Sequence, residues 1–261
     1  MVTSGNRLLA QGFVTVILLY LYAPIAVIVL FSFTTSPRLG IPIEGLTLRW
    51  YTSALSNPLM VTALKNSVIL AVASAIVGGT LGAVFAFGLV KLKRPRDRQT
   101  LLAAGLLPAV VPLLVVGISL AVFFHGIGLR QGVWNAAAGH VLVCLPFVIL
   151  TMNARLETFD FTILEAARDL GATPFRTFLD ITFPLIRQSV IGAALLAAAL
   201  SLDEFVVTWF TIGNEQTVPV LVWGLMRRGI DPSINAIATM LLFVLVCLVF
   251  LSNHIGRKPA Q

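Results

Sequence analysis

Runs of about 20 mainly apolar residues, the length that lets a helix cross a bilayer, recur along this chain from one end to the other. Composition delimits six of them, at residues 13–33, 66–90, 101–124, 133–153, 189–210 and 234–253. With 58% of its residues hydrophobic and 11% charged, the polypeptide is too apolar for a soluble domain of this length, so lipid is the solvent for most of it. The expected fold class is all-α integral membrane, with six transmembrane helices in a single transmembrane domain over residues 1–261.

The net charge of +7 does not call for nucleic acid, because the basic residues gather in the short segments between apolar runs. The densest cluster, Lys91, Lys93, Arg94, Arg96 and Arg98, places the segment between the second and third runs in the cytoplasm. With six spans, both termini are then cytoplasmic too. Arg7, Arg155, Arg168, Arg176, Arg187, Arg257 and Lys258 fall on the same side, while Arg38, Arg49, Lys65, Arg130, Arg227 and Arg228 fall outside. The first apolar run follows Arg7 but exceeds the roughly 7 to 15 residues of a signal-peptide core, so it is read as a retained first helix.

The chemistry of a catalytic or metal centre is missing from the sequence. Cys144 and Cys247 lie inside apolar runs and are read as packing residues. His125, His140 and His254 are scattered without metal-ligand spacing, and each is read as a packing or interfacial residue. No GxxxxGK[ST] phosphate loop occurs. The expectation is a chain with no catalytic residues, no metal and no cofactor of its own.

Local signals mark where the spans depart from plain helices. Gly78, Gly79, Gly82 and Gly88 crowd the second run, and the GxxxG spacing from Gly78 to Gly82 is read as packing within the chain rather than a subunit interface. Pro108 and Pro112 predict a kink or an interruption in the third run. Trp50 and Tyr51 beside Arg49 suggest an interfacial helix over residues 46–55. Residues 219–229 read as a short helix with proline near its start and glycine at its end.

The segment 154–188 is too long and too patterned for a connector. Thr162 and Glu165 have the spacing of a capping box, Ala166 and Ala167 keep the helix slim, and Gly171 supplies the left-handed residue that ends it. Thr173 and Pro174 then start a second helix. Leu164, Leu170, Phe175 and Phe178 make one side apolar, while Glu165, Arg168, Asp169 and Arg176 make the other charged.

Asp203 and Glu204 stand inside the fifth run, where each ionisable group costs about 2.5 to 3.5 kcal/mol on insertion scales. Counting from Ser189 puts Asp203 in the outer half of the membrane, where an acid could attract a cation. Ser201 and Glu204 are also spaced as a capping box, so Glu204 has the alternative role of restarting an interrupted helix.

These residues carry a resemblance. Glu165-Ala166-Ala167, then Gly171, then Ile181 and Pro184, resemble the EAA motif of permease subunits in ATP-binding-cassette (ABC) importers, with Phe183 in place of the leucine usual before the proline. The likeness extends through residues 19–24, Leu145-Pro146-Phe147 and Ser201-Leu202-Asp203-Glu204-Phe205. It implies a type I importer permease (MetI-like) fold in a bacterial inner membrane, with a cytoplasmic coupling helix that sits in a groove of an ATPase subunit. ATPase coupling would then fall to Glu165, Ala166, Ala167, Gly171 and Pro184, and hydrolysis to a separate subunit.

The implied partners are an ABC ATPase dimer, a second homologous permease, an extracellular or periplasmic substrate-binding protein and membrane lipid. Residues 219–229 with Asp231 could receive the binding protein, or form a solvated loop. The chain looks most like the second permease of spermidine/putrescine-type importers, which implies an organic cation as substrate and Asp203 and Glu204 as pathway residues. Leu113 departs from that pattern, where polyamine permeases carry an acid after the proline. An importer of another amine, an opine or an organophosphonate is the alternative. A proton-coupled secondary transporter, titrating at Asp203 or Glu204, is the rival class.

Overall fold

The computed structural model describes residues 4–36, 40, 43, 45–227 and 232–256, and they are helical apart from turns and one isolated β-bridge. They divide into two compact units, residues 1–61 with 222–244 and residues 62–221 with 245–261. Arg38, Arg228, Gly229, Asp231, Arg257 and Lys258, which entered the sequence reading, lie outside the described residues.

The first unit opens with α1, Ser4–Phe31, whose side chains are exposed from Gln11 to Ile28. Exposed apolar surface of that length is stable only in lipid or against another protein. After α1 the chain doubles back through an antiparallel bridge between Thr34 and Leu46 and enters α2, Arg49–Ser56. This is the helix expected around Trp50. Its polar groups are engaged by the preceding turn: the Trp50 indole donates to the Thr34 carbonyl (2.7 Å), and Tyr51 shares a hydrogen bond with Ser32 (2.6 Å). Arg49 donates to the Thr35 carbonyl (2.6 Å) while its guanidinium stacks 4.3 Å above the Trp50 ring.

The next span begins at Pro58, earlier than expected, because Asn57 accepts from the Leu59 amide (2.9 Å) and proline is pre-set for a first helical position. It runs as one helix of 33 residues through α3, Pro58–Ala73, a π-helical turn, Ser74–Gly78, and α4, Gly79–Val90. The third expected span is interrupted: α5, Pro95–Val110, and α6, Leu113–Gly126, meet at 94°. Pro112 imposes this by removing a donor and forcing Val111 into extended backbone (ψ 131°). Pro108, inside α5, leaves that helix unbroken.

The fourth span is α7, Val133–Glu157. The short helices α8, Thr162–Asp169, and α9, Pro174–Thr177, follow, and then a π-helical turn, Phe178–Thr182, leads into α10, Phe183–Asp203. The second helix of the expected hairpin is thus the beginning of the fifth span, a continuous helix of 30 residues from Pro174 to Asp203. The span also stops earlier than 210, at a break over Glu204 and Phe205, after which α11 covers Val206–Thr211. The short helix expected at 219–229 is α12, Val218–Met226, and α13, Pro232–Gly256, completes the chain. Among the described residues, five unbroken helices are long and apolar enough to cross a membrane, and the bent α5–α6 pair, taken as one span, makes six.

In the second unit α7 is central, with α4, α5, α10 and α11 packed against it. The core runs along Ala86, Cys144, Val148, Met152, Ile186 and Ala197, and Leu164 of α8 closes one end. The Cys144 thiol donates to the Ala197 carbonyl (3.4 Å), whereas Cys247, expected as a packing residue, is exposed. Of the GxxxG pair, Gly82 packs tightly within the chain, since a β-carbon there would lie 2.5 Å from Val148 Cγ1, while one on Gly78 would make only ordinary contact with Val141 (3.9 Å); the neighbouring Gly79 is also close-packed, 3.1 Å from Ala194 Cβ. The small residues let the backbones of α4, α7 and α10 approach, which is what drives helix association where lipid removes the hydrophobic contribution.

Gly88, on the same helix as Gly82, has open space where a β-carbon would stand. Gly82→Val is therefore expected to lower the stability of the detergent-solubilised protein by about 1 to 3 kcal/mol through overpacking. Gly88→Ala should be neutral or slightly stabilising, and a comparison of thermal unfolding midpoints checks both.

Candidate functional site

The segment between α7 and α10 is built from local signals that the structure largely realises. Gly171 adopts φ +87°, and the Gly171 and Ala172 amides donate to the Arg168 (2.9 Å) and Ala167 (3.0 Å) carbonyls, so α8 ends in a Schellman motif. Thr173 then caps α9, its hydroxyl oxygen accepting from the Arg176 amide (3.4 Å), with Pro174 at the first helical position.

The start of α8 differs from expectation. Thr162 and Glu165 do not form a capping box; the Thr162 amide (3.0 Å) and hydroxyl (2.7 Å) both donate to Asp160 Oδ1. Asp160 wins because its carboxylate, two residues before the helix, reaches the first free donor in a tight Asx turn. Those two hydrogen bonds hold the Asp160 carboxyl below the usual carboxylate range.

The apolar side chains of this segment divide. Leu164 and Ala167 are buried in the core, while Leu170 and Phe175 are 89% and 70% exposed. Glu165, Ala166, Arg168 and Asp169 are exposed beside them. The result is a capped, rigid element presenting both apolar and charged groups to its surroundings. Pro184 lies half-buried just after the π-helical turn, whose wider spacing, seen in the Phe183 amide donating to the Phe178 carbonyl five residues back, accommodates a proline that would clash within a regular α-helix.

The basic cluster at 91–98 lies at the same end of this unit. Arg98 bridges Glu157 at the end of α7 (2.7 Å), the Lys91 ammonium stands 4.4 Å over the Phe87 ring, and Phe87 meets Phe178 edge-on at 6.1 Å.

Asp203 and Glu204 stand at the far end of the helix from Pro174 to Asp203, roughly 40 Å away at 1.5 Å per residue. The two acids are separated in role by the break. Asp203 is exposed at the C-terminus of α10. Glu204 is buried, 8% exposed, and its Oε1 accepts from the Val207 amide (2.8 Å). Glu204 therefore restarts the helix, with its own carboxylate as the cap. Ser201 is not its capping-box partner, because the Ser201 hydroxyl is bonded to His140 (2.7 Å).

His140 is a site residue that pattern reading missed. It is fully buried in α7, with Nδ1 2.7 Å from Ser201 and Nε2 2.6 Å from Thr208. The partners lie 61 and 68 residues away, beyond any spacing rule; the available signal was a histidine in an apolar run. Nearby, Asn66 donates to Glu215 (3.1 Å) and to the Gln216 carbonyl (3.0 Å), and the Val218 amide donates to Ser67 (2.9 Å), tying the loop after α11 to α3.

Comparison with known proteins places this geometry. The family described as "Binding-protein-dependent transport system inner membrane component" matches residues 78–260. The spermidine/putrescine transport system permease protein PotC of Escherichia coli (strain K12) is 37% identical over 259 residues, covering 98% of this chain and 97% of that protein. The putrescine transport system permease protein PotI of the same organism is 34% identical over 249 residues, covering 93% and 88%. Among solved structures, a chain of a bacterial alginate ABC transporter in complex with alginate pentasaccharide-bound periplasmic protein superposes with a TM-score of 0.71 at 17% identity, over 98% of this chain and 95% of that one. A chain of the MetNI methionine ABC transporter, inward facing, gives 0.56 at 17% identity over 78% and 97%.

The Asp160 cap carries a pH signature. Because the folded carboxyl is held below its unfolded value, the cap's contribution is complete above the unfolded value and lost as pH falls through the folded one. Protection of the first turn of α8 against amide exchange should be full at neutral pH and fade in acid. Asp160→Ala should remove that pH dependence, leaving low protection throughout.

Proposed function

Because this chain belongs to the binding-protein-dependent transport system inner membrane components, we propose that it lines half of the translocation pathway of an ATP-driven importer for a small organic cation, a polyamine of the putrescine/spermidine kind. The observation that carries this reading is that one helix, Pro174–Asp203, has the capped EAA-type element at one end and the acidic break at the other.

Coupling works as follows. Glu165, Ala166, Ala167 and Gly171, with the exposed Leu170 and Phe175, dock on an ATPase subunit, and the Schellman turn keeps the docked surface rigid. Pro184 and the π-helical turn mark where the docked segment joins the span. ATP-driven closure of the separate ATPase dimer displaces this end, and the stiff helix carries the displacement to the membrane-embedded acids. A second homologous permease forms the other half of the pathway, and a periplasmic or extracellular binding protein delivers the substrate. The shared end of the basic cluster and α8 supports a cytoplasmic position for both, and hence for both termini.

Asp203 attracts the cationic amine. It stands at a helix C-terminus, where the carbonyl dipoles add negative potential to the carboxylate, as in the broken helices of other transporters. Glu204 holds the break open and adds to the field. The sequence feature favouring a different amine, an opine or an organophosphonate is Leu113, the first residue of α6, where the resemblance to polyamine permeases implies an acid.

Uptake of labelled putrescine and spermidine by proteoliposomes holding the complete complex tests the reading. Asp203→Asn is expected to lower uptake at least tenfold while leaving ATPase docking intact, and Glu165→Ala to weaken both. Failure of an assembled, ATP-hydrolysing wild-type complex to take up either amine would discard the polyamine and retain the importer.

A further inference from the structure

His140 has hydrogen-bonded partners on both sides of the break in the fifth span: Ser201 in the last turn of α10 and Thr208 in α11. The direction of these bonds follows from counting hydrogens. The Thr208 hydroxyl has one, and donates it to the Glu204 carbonyl at 2.8 Å. Nε2 of His140 therefore donates to Thr208, and in a neutral ring, which carries a single N–H, Nδ1 accepts from the Ser201 hydroxyl. The neutral imidazole thus bridges the gap, with one nitrogen on each helical segment.

The packing around it is equally specific. α11 has six residues, too few to persist as an isolated helix, so neighbours must hold it. Gly139, beside His140, lets α11 settle directly on α7, since a β-carbon there would lie 2.6 Å from Val207 Cγ1. Gly117 of α6 does the same on another side, where a β-carbon would lie 2.8 Å from Phe210 Cδ2.

We propose that His140 is a positioning residue for transport: it clamps the two segments so that Asp203 stays presented at the end of α10 while Glu204 stays folded back as the cap of α11. This rests on the reading of Asp203 and Glu204 as pathway residues. Without the imidazole, the Ser201 hydroxyl turns to a carbonyl of its own helix, and Thr208 keeps only its local bond. The polar ties left to α7 are then the Cys144 thiol on the Ala197 carbonyl of α10 (3.4 Å) and the amide of Gly132, just before α7, on the Thr211 carbonyl of α11 (3.0 Å), and neither stands at the break. Successive helical residues point about 100° apart, so any slide or regularisation of the break re-aims both acids.

The test compares labelled putrescine transported per ATP hydrolysed in the complete reconstituted complex. The variants are His140→Phe, His140→Gln, the triple His140→Phe/Ser201→Ala/Thr208→Val, and Asp203→Asn. The triple variant removes the imidazole and both hydroxyls together and leaves only the Glu204 carbonyl without its Thr208 donor, so its unfolding temperature should fall less than that of His140→Phe. The expected result is a fall of about tenfold in the ratio for His140→Phe and for the triple variant, the scale set by losing two buried hydrogen bonds. His140→Gln, which keeps one donor and one acceptor, should recover much of the loss. A triple variant with wild-type stability and a wild-type ratio would show that the network only packs, and would overturn the proposal. If the triple variant is destabilised, equal ratios for His140→Gln and His140→Phe overturn it instead. An unchanged ratio for Asp203→Asn would bring down the pathway reading and this proposal together, whereas a lowered ratio there beside unchanged His140 variants would remove the His140 assignment alone.

Discussion

A bilayer offers no hydrogen bonds, so each interruption of a spanning helix has to be repaired by the protein itself. That constraint organises this chain. Where α10 stops, the Glu204 carboxylate takes the Val207 amide, the Thr208 hydroxyl takes the Glu204 carbonyl, and His140 joins Ser201 to Thr208. The capped ends of α8 and α9 obey the same requirement in a more polar setting, through Asp160, the Schellman turn and Thr173. The helix ends of the candidate site are thus also places where polar side chains concentrate.

The helix from Pro174 to Asp203 connects two such ends. Its stiffness comes from a backbone ladder that is regular beyond Pro184, and its seat from close packing of Ala193 and Ala197 against α7 and of Ala194 against Gly79. Small residues bring these backbones near enough for dispersion to hold them. The π-helical turn before Pro184 is the one departure along its length, and it lies next to the capped segment, away from the acids.

Much of this was legible in the residues, for a physical reason that varies with the feature. Pro112 announced an interruption because a ring without a donor acts on its immediate neighbours. Gly171 and Thr173-Pro174 announced a helix end and a helix start in the same way. The start of α8 differs because two local caps compete for the Thr162 amide, and the Asp160 carboxylate is the one bonded to it. The end of the fifth span was misread because Phe205, Val206 and Val207 continue the apolar run through a break that hydropathy does not register.

By itself the sequence determined the apolar spans, the basic segments between them, the caps around Gly171 and the acids at 203 and 204. All of these depend on solvent transfer or on backbone geometry within a few residues. Only the tertiary structure decided that Asp203 is exposed while Glu204 is buried as a cap, that Gly82 faces Val148, and that His140 meets Ser201 and Thr208. Those outcomes depend on which faces of separate helices come together, and side chains 61 and 68 residues apart share no local geometry until the helices have packed.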